Sequence, residues 1–171
     1  MKKLKRYTII GILFVLTAGT FAHFLYDWSH HNYVVGLFTP VNESIWEHMK
    51  LLFFPMLIYS LFMIFMLKDL YPSLPSALCF GILSGTFLIP VLYYTYTAIL
   101  GKDFFVLDIA VFILSTVLAF WLSYRFESSD KRKSCTFLSC ILVFLLLVCF
   151  LIFTYRPPAI AIFEDPTVFK P

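Results

Sequence analysis

Residues 49–67 read MKLLFFPMLIYSLFMIFML, and Lys50 is the one formally charged residue among them. A helix needs about 20 mainly apolar residues to cross the hydrocarbon region of a membrane. Pro55 interrupts the run without adding charge, and a proline inside a membrane-spanning helix bends the helix at that point. The stretch therefore predicts a transmembrane helix that bends near Pro55.

Four further runs have the same character, and together the runs define the fold class. The chain of 171 residues is 61% hydrophobic and only 13% charged, which excludes an ordinary soluble domain. We expect one all-α domain over residues 1–171, an integral membrane bundle of five transmembrane helices. The predicted helices cover residues 7–29, 40–67, 76–100, 104–125 and 135–155, and residues 156–171 form a tail.

Basic residues indicate the orientation of the bundle, because cytoplasmic loops carry the excess of Lys and Arg. Two basic segments, residues 2–6 and residues 125–134, fall on one side, and most acidic residues fall on the other. We therefore expect the N-terminus inside and the C-terminus outside, in a multi-pass protein of the cell membrane. The net charge of +3 predicts contact with the head groups of the lipid bilayer and no nucleic-acid binding.

Ionisable residues are concentrated between the first two predicted helices, where all four histidines of the chain lie. An ionisable group inside a membrane is costly, so it is by default a candidate for function. Spacings of three and four residues place one polar stripe on a single face of the first helix. We expect this stripe to face the bundle interior; it consists of Thr17, Thr20, His23, Asp27 and His30.

The start of the second predicted helix carries two carboxylates. Thr39 and Pro40 are residue types typical of an N-cap and a first helical position. In a helix from Pro40, Glu43 and Glu47 would lie one turn apart on one face. Two carboxylates so close repel each other unless a proton or a cation lies between them. Lys50 is one possible cation, and a metal ion is another.

We expect a polar pocket at the extracytoplasmic ends of the first, second and fourth helices. The expected pocket residues are His23, Asp27, Asn42, Glu43, Ser44, Trp46, Glu47, His48 and Asp108. Carboxylates with imidazoles suit a divalent ion such as zinc, manganese or iron. The candidate metal ligands are His23, Asp27, Glu43 and Glu47, and the candidate catalytic residues are Glu43, Glu47 and His48.

Three functions remain open at this point, and whether the protein is an enzyme is not decided. The polar residues can form a structural network in an accessory membrane protein. They can form a metal-assisted hydrolase or transferase site for a lipid or envelope substrate. They can also bind or conduct a small solute or ion.

Smaller features predict packing. Gly81 and Gly85 form a GxxxG match, which favours close contact with another helix. The cysteines lack paired spacing and are expected to be buried small hydrophobes; they are Cys79, Cys135, Cys140 and Cys149. In the tail, apolar residues are expected to fold back onto the bundle; they are Ile160, Ile162, Phe163 and Phe169.

Three motifs resemble those of a known family. They are HFLYDWS at residues 23–29, PVNESIWEHMK at residues 40–50, and FFP at residues 53–55. The chain resembles a family of small bacterial multi-pass membrane proteins that carries a domain of unknown function. The resemblance implies a bacterial cell membrane and carries no activity with it.

Overall fold

The computed structural model describes residues 2–127, 136–166 and 168. The helices are α1 (Lys2–Trp28), α2 (Tyr33–Gly36), α3 (Ile45–Leu67), α4 (Leu74–Leu100), α5 (Phe105–Glu127) and α6 (Thr136–Phe153). A short 3-10 helix, Ala161–Phe163, lies in the tail. The part of the chain that the structure describes contains no strand, so the expected all-α class is confirmed.

Four helices, α1, α3, α4 and α5, are long and apolar enough to cross a membrane. The described part of α6 is shorter, with an apolar stretch over Leu138–Phe153. The helices form a bundle of the membrane-spanning type. The end that carries Trp28, Ile45, Leu100 and Phe105 is called the site end, and the end that carries Lys2 is called the basic end.

Helix α3 occupies the centre of the bundle. Most of its side chains are buried, and they contact α1, α4 and the 3-10 helix of the tail. The rings of Phe53 and Phe54 pack against Phe150 of α6. Pro55 is buried inside the helix without ending it, in keeping with the tolerance of membrane helices for internal proline.

Helices α4 and α5 pack closely because the residues between them are small. A Cβ atom added to Gly81 would lie 2.5 Å from the carbonyl oxygen of Ala119, and one added to Gly85 would lie 2.5 Å from the Ala119 Cβ. The expectation that these glycines face another helix is confirmed. The connecting turn contains Gly101 at φ 71°, a left-handed conformation that glycine adopts without strain.

The second predicted helix starts at Ile45, five residues later than Pro40. The hydroxyl of Thr39 donates to the Val35 carbonyl oxygen and so completes the turn after α2. The N-cap of α3 is Ser44, whose hydroxyl accepts from the Glu47 N–H. Thr39-Pro40 predicts a helix start by residue type alone, but in the structure Thr39 belongs to the turn after α2 and Ser44 caps α3.

Contrary to expectation, most of the polar stripe of α1 does not face the interior; of its members, His23 alone is partly buried. Thr17, Thr20, Asp27 and His30 are exposed, whereas the buried side consists of Leu4, Gly11, Val15 and Gly19. Gly11 and Gly19 let α1 approach α3 and α5 closely. Close packing sets the rotation of α1, and the Thr20 hydroxyl is satisfied within the helix by the Leu16 carbonyl oxygen.

Two further expectations concern the tail and the cysteines. Ile162 and Phe163 pack onto the core, as expected. The expectation is wrong for Ile160, which is 58% exposed, and Phe169 lies outside the described residues. Cys79, Cys140 and Cys149 are free thiols, but they are only partly buried rather than buried as expected. The sulfur atoms of Cys79 in α4 and Cys140 in α6 lie 3.2 Å apart, a contact that their spacing did not indicate. Cys135 and the basic residues Lys131, Arg132 and Lys133 lie outside the described residues.

Candidate functional site

Lys50 is fully buried at 0% exposure and lies at the centre of a polar network. Its ammonium nitrogen lies 2.7 Å from Glu47 Oε2 and 2.6 Å from Thr154 Oγ1. It also lies 3.0 Å from the Gly36 carbonyl oxygen and 3.4 Å from that of Thr39. A buried ammonium group is tolerable only when paired and hydrogen-bonded in this way. Lys50 thus joins α3 to the α2 region and to the end of α6.

Glu47 belongs to this buried network. Besides Lys50, its Oε2 accepts the backbone N–H of Val41 at 3.0 Å, and the residue is only 2% exposed. The expected pairing of Glu43 with Glu47 on one helical face is wrong, because Glu43 precedes the Ser44 N-cap. The two carboxylates therefore have separate partners.

A second cluster lies nearer the surface and joins three parts of the chain. It consists of His23 of α1, Glu43 of the loop before α3, and His48 of α3. Glu43 Oε2 lies 3.3 Å from His48 Nε2 and 3.8 Å from His23 Nε2. One ligand atom from each residue lies within 4.8 Å of the other two. The imidazole rings are 5.2 Å apart and edge to face.

The loop before α3 fixes the orientation of His48. Asn42 Oδ1 accepts the Ser44 N–H at 3.0 Å, which shapes the turn that leads into the helix. The Ser44 carbonyl oxygen lies 3.0 Å from His48 Nδ1. A carbonyl oxygen only accepts hydrogen bonds, so Nδ1 carries the proton and Nε2 is the nitrogen that faces Glu43. Asn42 and Ser44 therefore contribute to the site by orienting the His48 ring.

The charges around Glu43 favour its ionised form. The hydrogen bond from His48 lowers the pKa of the Glu43 carboxyl against the opposing effect of burial, and the charges of His48 and His23 lower it further. Asp165 of the tail acts in the opposite direction, and its Oδ2 accepts the backbone N–H of Glu43 at 3.3 Å. Asp108 is near enough to interact electrostatically with Glu43.

Two of the expected pocket residues point elsewhere. Asp27 lies 3.2 Å from His31 Nε2, and both side chains are largely exposed. The chain turns after α1 through His30 and His31 at φ 54° and 59°, which brings His31 back onto Asp27. Trp46 is not part of the cluster. It is buried on another side of α3, against Phe150.

The remaining expected residue, Asp108, lies in the first turn of α5 and accepts a hydrogen bond from the Tyr96 hydroxyl. Sequence reasoning missed other participants, namely Gly36, Thr39, Thr154 and Asp165. Thr154 and Asp165 lie more than 100 residues from their partners Lys50 and Glu43. No local pattern signals such contacts, although the apolar tail residues indicated that the tail returns to the bundle.

The apolar helices and the two polar networks at the site end define a helical integral membrane protein. A search of curated proteins and a search of solved structures each found no match. The family model described as "Family of unknown function (DUF6512)" matches residues 1–170. The chain belongs to this family, and the resemblance to a family with a domain of unknown function is confirmed.

Proposed function

We propose that the protein binds a divalent metal ion of the zinc class through His23, Glu43 and His48. The observation that carries the proposal is the arrangement of His48. Its Nδ1 proton is committed to the Ser44 carbonyl oxygen, so Nε2 is the atom that faces the Glu43 carboxylate at 3.3 Å. Nε2 donates a hydrogen bond when the ring is protonated and offers a lone pair when the ring is neutral. Two electron-rich atoms at this distance require a positive charge between them, either a proton or a metal ion.

The third residue favours the metal ion over the proton. His23 Nε2 lies 3.8 Å from the same Glu43 oxygen, which is too far for a hydrogen bond. Ligands at about 2.0–2.2 Å from a tetrahedral zinc ion are separated by about 3.3–3.6 Å. The Glu43–His48 separation already matches this spacing and the Glu43–His23 separation slightly exceeds it, while the two histidines, whose ligand atoms lie within 4.8 Å of each other, would move closer on binding. One proton, by contrast, can bridge only two of the three groups.

The donor set also matches this class of ion. Two imidazoles and a carboxylate suit zinc, iron or manganese. In a metal-binding histidine, the ring nitrogen that does not bind the metal usually donates its proton to a carboxylate, a backbone carbonyl oxygen or water. His48 Nδ1 has such a partner in the Ser44 carbonyl oxygen. Three protein ligands leave a fourth tetrahedral position for water or substrate.

The fourth position favours a second candidate function, a hydrolase or transferase that uses metal-bound water on a lipid or envelope substrate. The Glu43 side chain is 47% exposed, so the cluster is open to solvent or to lipid head groups. Asp108, which interacts electrostatically with Glu43 and holds a hydrogen bond from the Tyr96 hydroxyl, would be the candidate base. Glu43 would then be a ligand, and Glu47 would have no catalytic part because Lys50 engages it.

For the location of the site, we propose a bacterial cell membrane with the basic end in the cytoplasm. The asymmetry of charge supports this orientation, since Lys2, Lys5 and Arg6 lie at the basic end and Glu43, Asp103 and Asp165 lie at the site end. The metal site would then face the extracytoplasmic side.

Metal content tests the proposed function. Protein purified without chelator and incubated with zinc should retain about one ion per chain after desalting. Glu43→Gln should lose the ion, because the neutral amide is a poor ligand. Asp27→Asn is the matched control: it neutralises an exposed carboxylate that also pairs with a histidine, and it should retain the ion.

Equal zinc retention by Glu43→Gln and the unaltered protein would exclude this ligand set. If the unaltered protein retains no ion of this class, the cluster is a structural network that joins α1 to α3. Thermal unfolding of each variant shows whether a loss of metal merely reflects a loss of fold.

A further inference from the structure

An open groove runs between α1 and α5 near the basic end, far from the metal cluster. Its volume is about 310 Å³, and its walls include Lys5, Ile9 and Ile12 of α1 and Val117, Trp121 and Tyr124 of α5. Lys5 and His23 are 18 residues apart, which corresponds to about 27 Å along a helix. The groove is therefore independent of the proposed metal site.

A basic depression adjoins the apolar groove. Its volume is about 500 Å³, and it is lined by Lys2, Lys5, Arg6, Ile9 and Ile10. Lys5 and Ile9 belong to both, so the two form one continuous surface with a cationic mouth and an apolar trough.

The positive charge at the mouth is not neutralised within the described part of the chain. No ion pair there involves Lys2, Lys5 or Arg6. No acidic residue is among those that line either depression. The mouth therefore presents three cationic side chains to whatever fills the groove.

The trough has the position and polarity of a lipid-chain site. From Lys5 to Ile12 the helix rises about 10 Å, which leads from the head-group level into the hydrocarbon. Ile9 and Trp121 are 49% and 52% exposed, so the trough opens to the bilayer. Trp121 and Tyr124 suit the boundary between head groups and hydrocarbon.

We propose that this groove binds an anionic phospholipid. The phosphate lies against Lys2, Lys5 and Arg6, and one acyl chain lies along Ile12 and Trp121. Basic pockets between transmembrane helices recognise anionic head groups through this combination of charge and shape. A soluble anion would use the mouth alone and leave the apolar trough unfilled, so the occupant is a membrane lipid.

Trp121 provides the probe, because bromine atoms on an acyl chain quench an indole that they touch. The protein is reconstituted in phosphatidylcholine vesicles with increasing fractions of dibrominated phosphatidylglycerol or dibrominated phosphatidylcholine. The difference between the unaltered protein and Trp121→Phe isolates the signal of Trp121. The anionic lipid should half-quench this signal at a mole fraction about five-fold lower than the neutral lipid.

Two controls separate a site from general attraction. The double variant Lys5→Gln and Arg6→Gln is prepared with and without Trp121. In it, the two brominated lipids should half-quench the Trp121 signal at equal mole fractions. Lys68→Gln removes an exposed charge beside the last turn of α3 and should leave the difference intact. The signal that remains in Trp121→Phe, from Trp28 and Trp46, should not distinguish the lipids.

Three results would overturn the proposal. Equal quenching of Trp121 by both lipids would mean ordinary contact with the surrounding bilayer. A preference that survives Lys5→Gln with Arg6→Gln would place the selectivity elsewhere. If Lys68→Gln abolishes the preference for the anionic lipid as fully as the Lys5→Gln and Arg6→Gln double variant does, the preference reflects general surface charge and not a site.

Discussion

At the scale of single residues, Lys50 holds together segments that are distant in the sequence. Its ammonium group contacts the α2 region through Gly36 and the end of α6 through Thr154. The ion pair with Glu47 supplies the charge balance that makes this burial possible. Because Val41 also donates to Glu47, the loop that carries Glu43 depends on the same network.

Replacing Lys50 with Met should therefore be strongly destabilising. The change leaves Glu47 buried without its counter-ion, and breaking one partner of a buried pair costs about 3–5 kcal/mol. The free energy of unfolding in mixed detergent micelles measures the effect. Lys68→Met, which removes an exposed lysine beside the end of the same helix, should change it by less than about 0.5 kcal/mol.

Adding Glu47→Leu to Lys50→Met should recover much of the loss, since an apolar pair leaves no uncompensated charge. If Lys50→Met alone proves no more harmful than Lys68→Met, the buried network does not hold the site end together. The role given to Lys50 would then be wrong.

At the scale of elements, the contact between α4 and α5 depends on small residues. Gly81 and Gly85 face Ala119, with Ser115 and Ser123 one turn to either side of it. Inside a membrane, where no hydrophobic effect drives helices together, this close approach supplies much of the association energy. The contact also sets the position of Asp108 relative to the site end, because Asp108 lies on α5.

The double variant Gly81→Leu and Gly85→Leu should lower the apparent melting temperature markedly or prevent folding, because there is no space for the new side chains. The matched control is Ala98→Leu, an exposed position on the same helix, which should be neutral. A double variant as stable as Ala98→Leu would contradict the packing of α4 on α5.

The long helices can be predicted from the sequence, whereas the start of α3 and the rotation of α1 cannot. Hydropathy is a local property, so the long apolar runs predict the bundle directly. The start of α3 at Ile45 was not predicted, because Thr39-Pro40 and Ser44 are both plausible caps and only the α2 turn decides between them. The rotation of α1 was not predicted, because the close packing of Gly11 and Gly19 against α3 and α5 determines it more than the polar stripe does.

The polar residues show a similar division. Their concentration before residue 50 predicted an unusual region, since ionisable groups in apolar surroundings are rare. Their division into a Lys50–Glu47 network and a His23–Glu43–His48 cluster was not predictable. It depends on Thr154 and on the Ser44 N-cap, and therefore on the folded chain.

At the scale of the whole molecule, the two ends of the bundle differ in charge and in the chemistry we propose for them. The basic end carries the lipid groove, and the site end carries the metal cluster. The orientation of the bundle decides which side of the membrane each one faces. The charge asymmetry favours the basic end inside.

Cysteine labelling tests this orientation. In a protein without its four native cysteines, Asp69→Cys lies between α3 and α4, and Lys102→Cys lies between α4 and α5. A membrane-impermeant maleimide should label Lys102→Cys in intact cells, and it should label Asp69→Cys only after permeabilisation. The reverse pattern would place the metal cluster in the cytoplasm.

The most direct test of the proposed metal centre is X-ray absorption at the zinc edge on the purified, zinc-loaded protein. The spectrum should show nitrogen and oxygen ligands at about 2.0–2.2 Å, with the outer-shell scattering of two imidazole rings. Glu43→Gln should abolish this spectrum, and Asp27→Asn should preserve it. Sulfur at about 2.3 Å would instead indicate thiol ligands such as Cys79 and Cys140. That result, or a spectrum without imidazole scattering, would contradict a site at His23, Glu43 and His48.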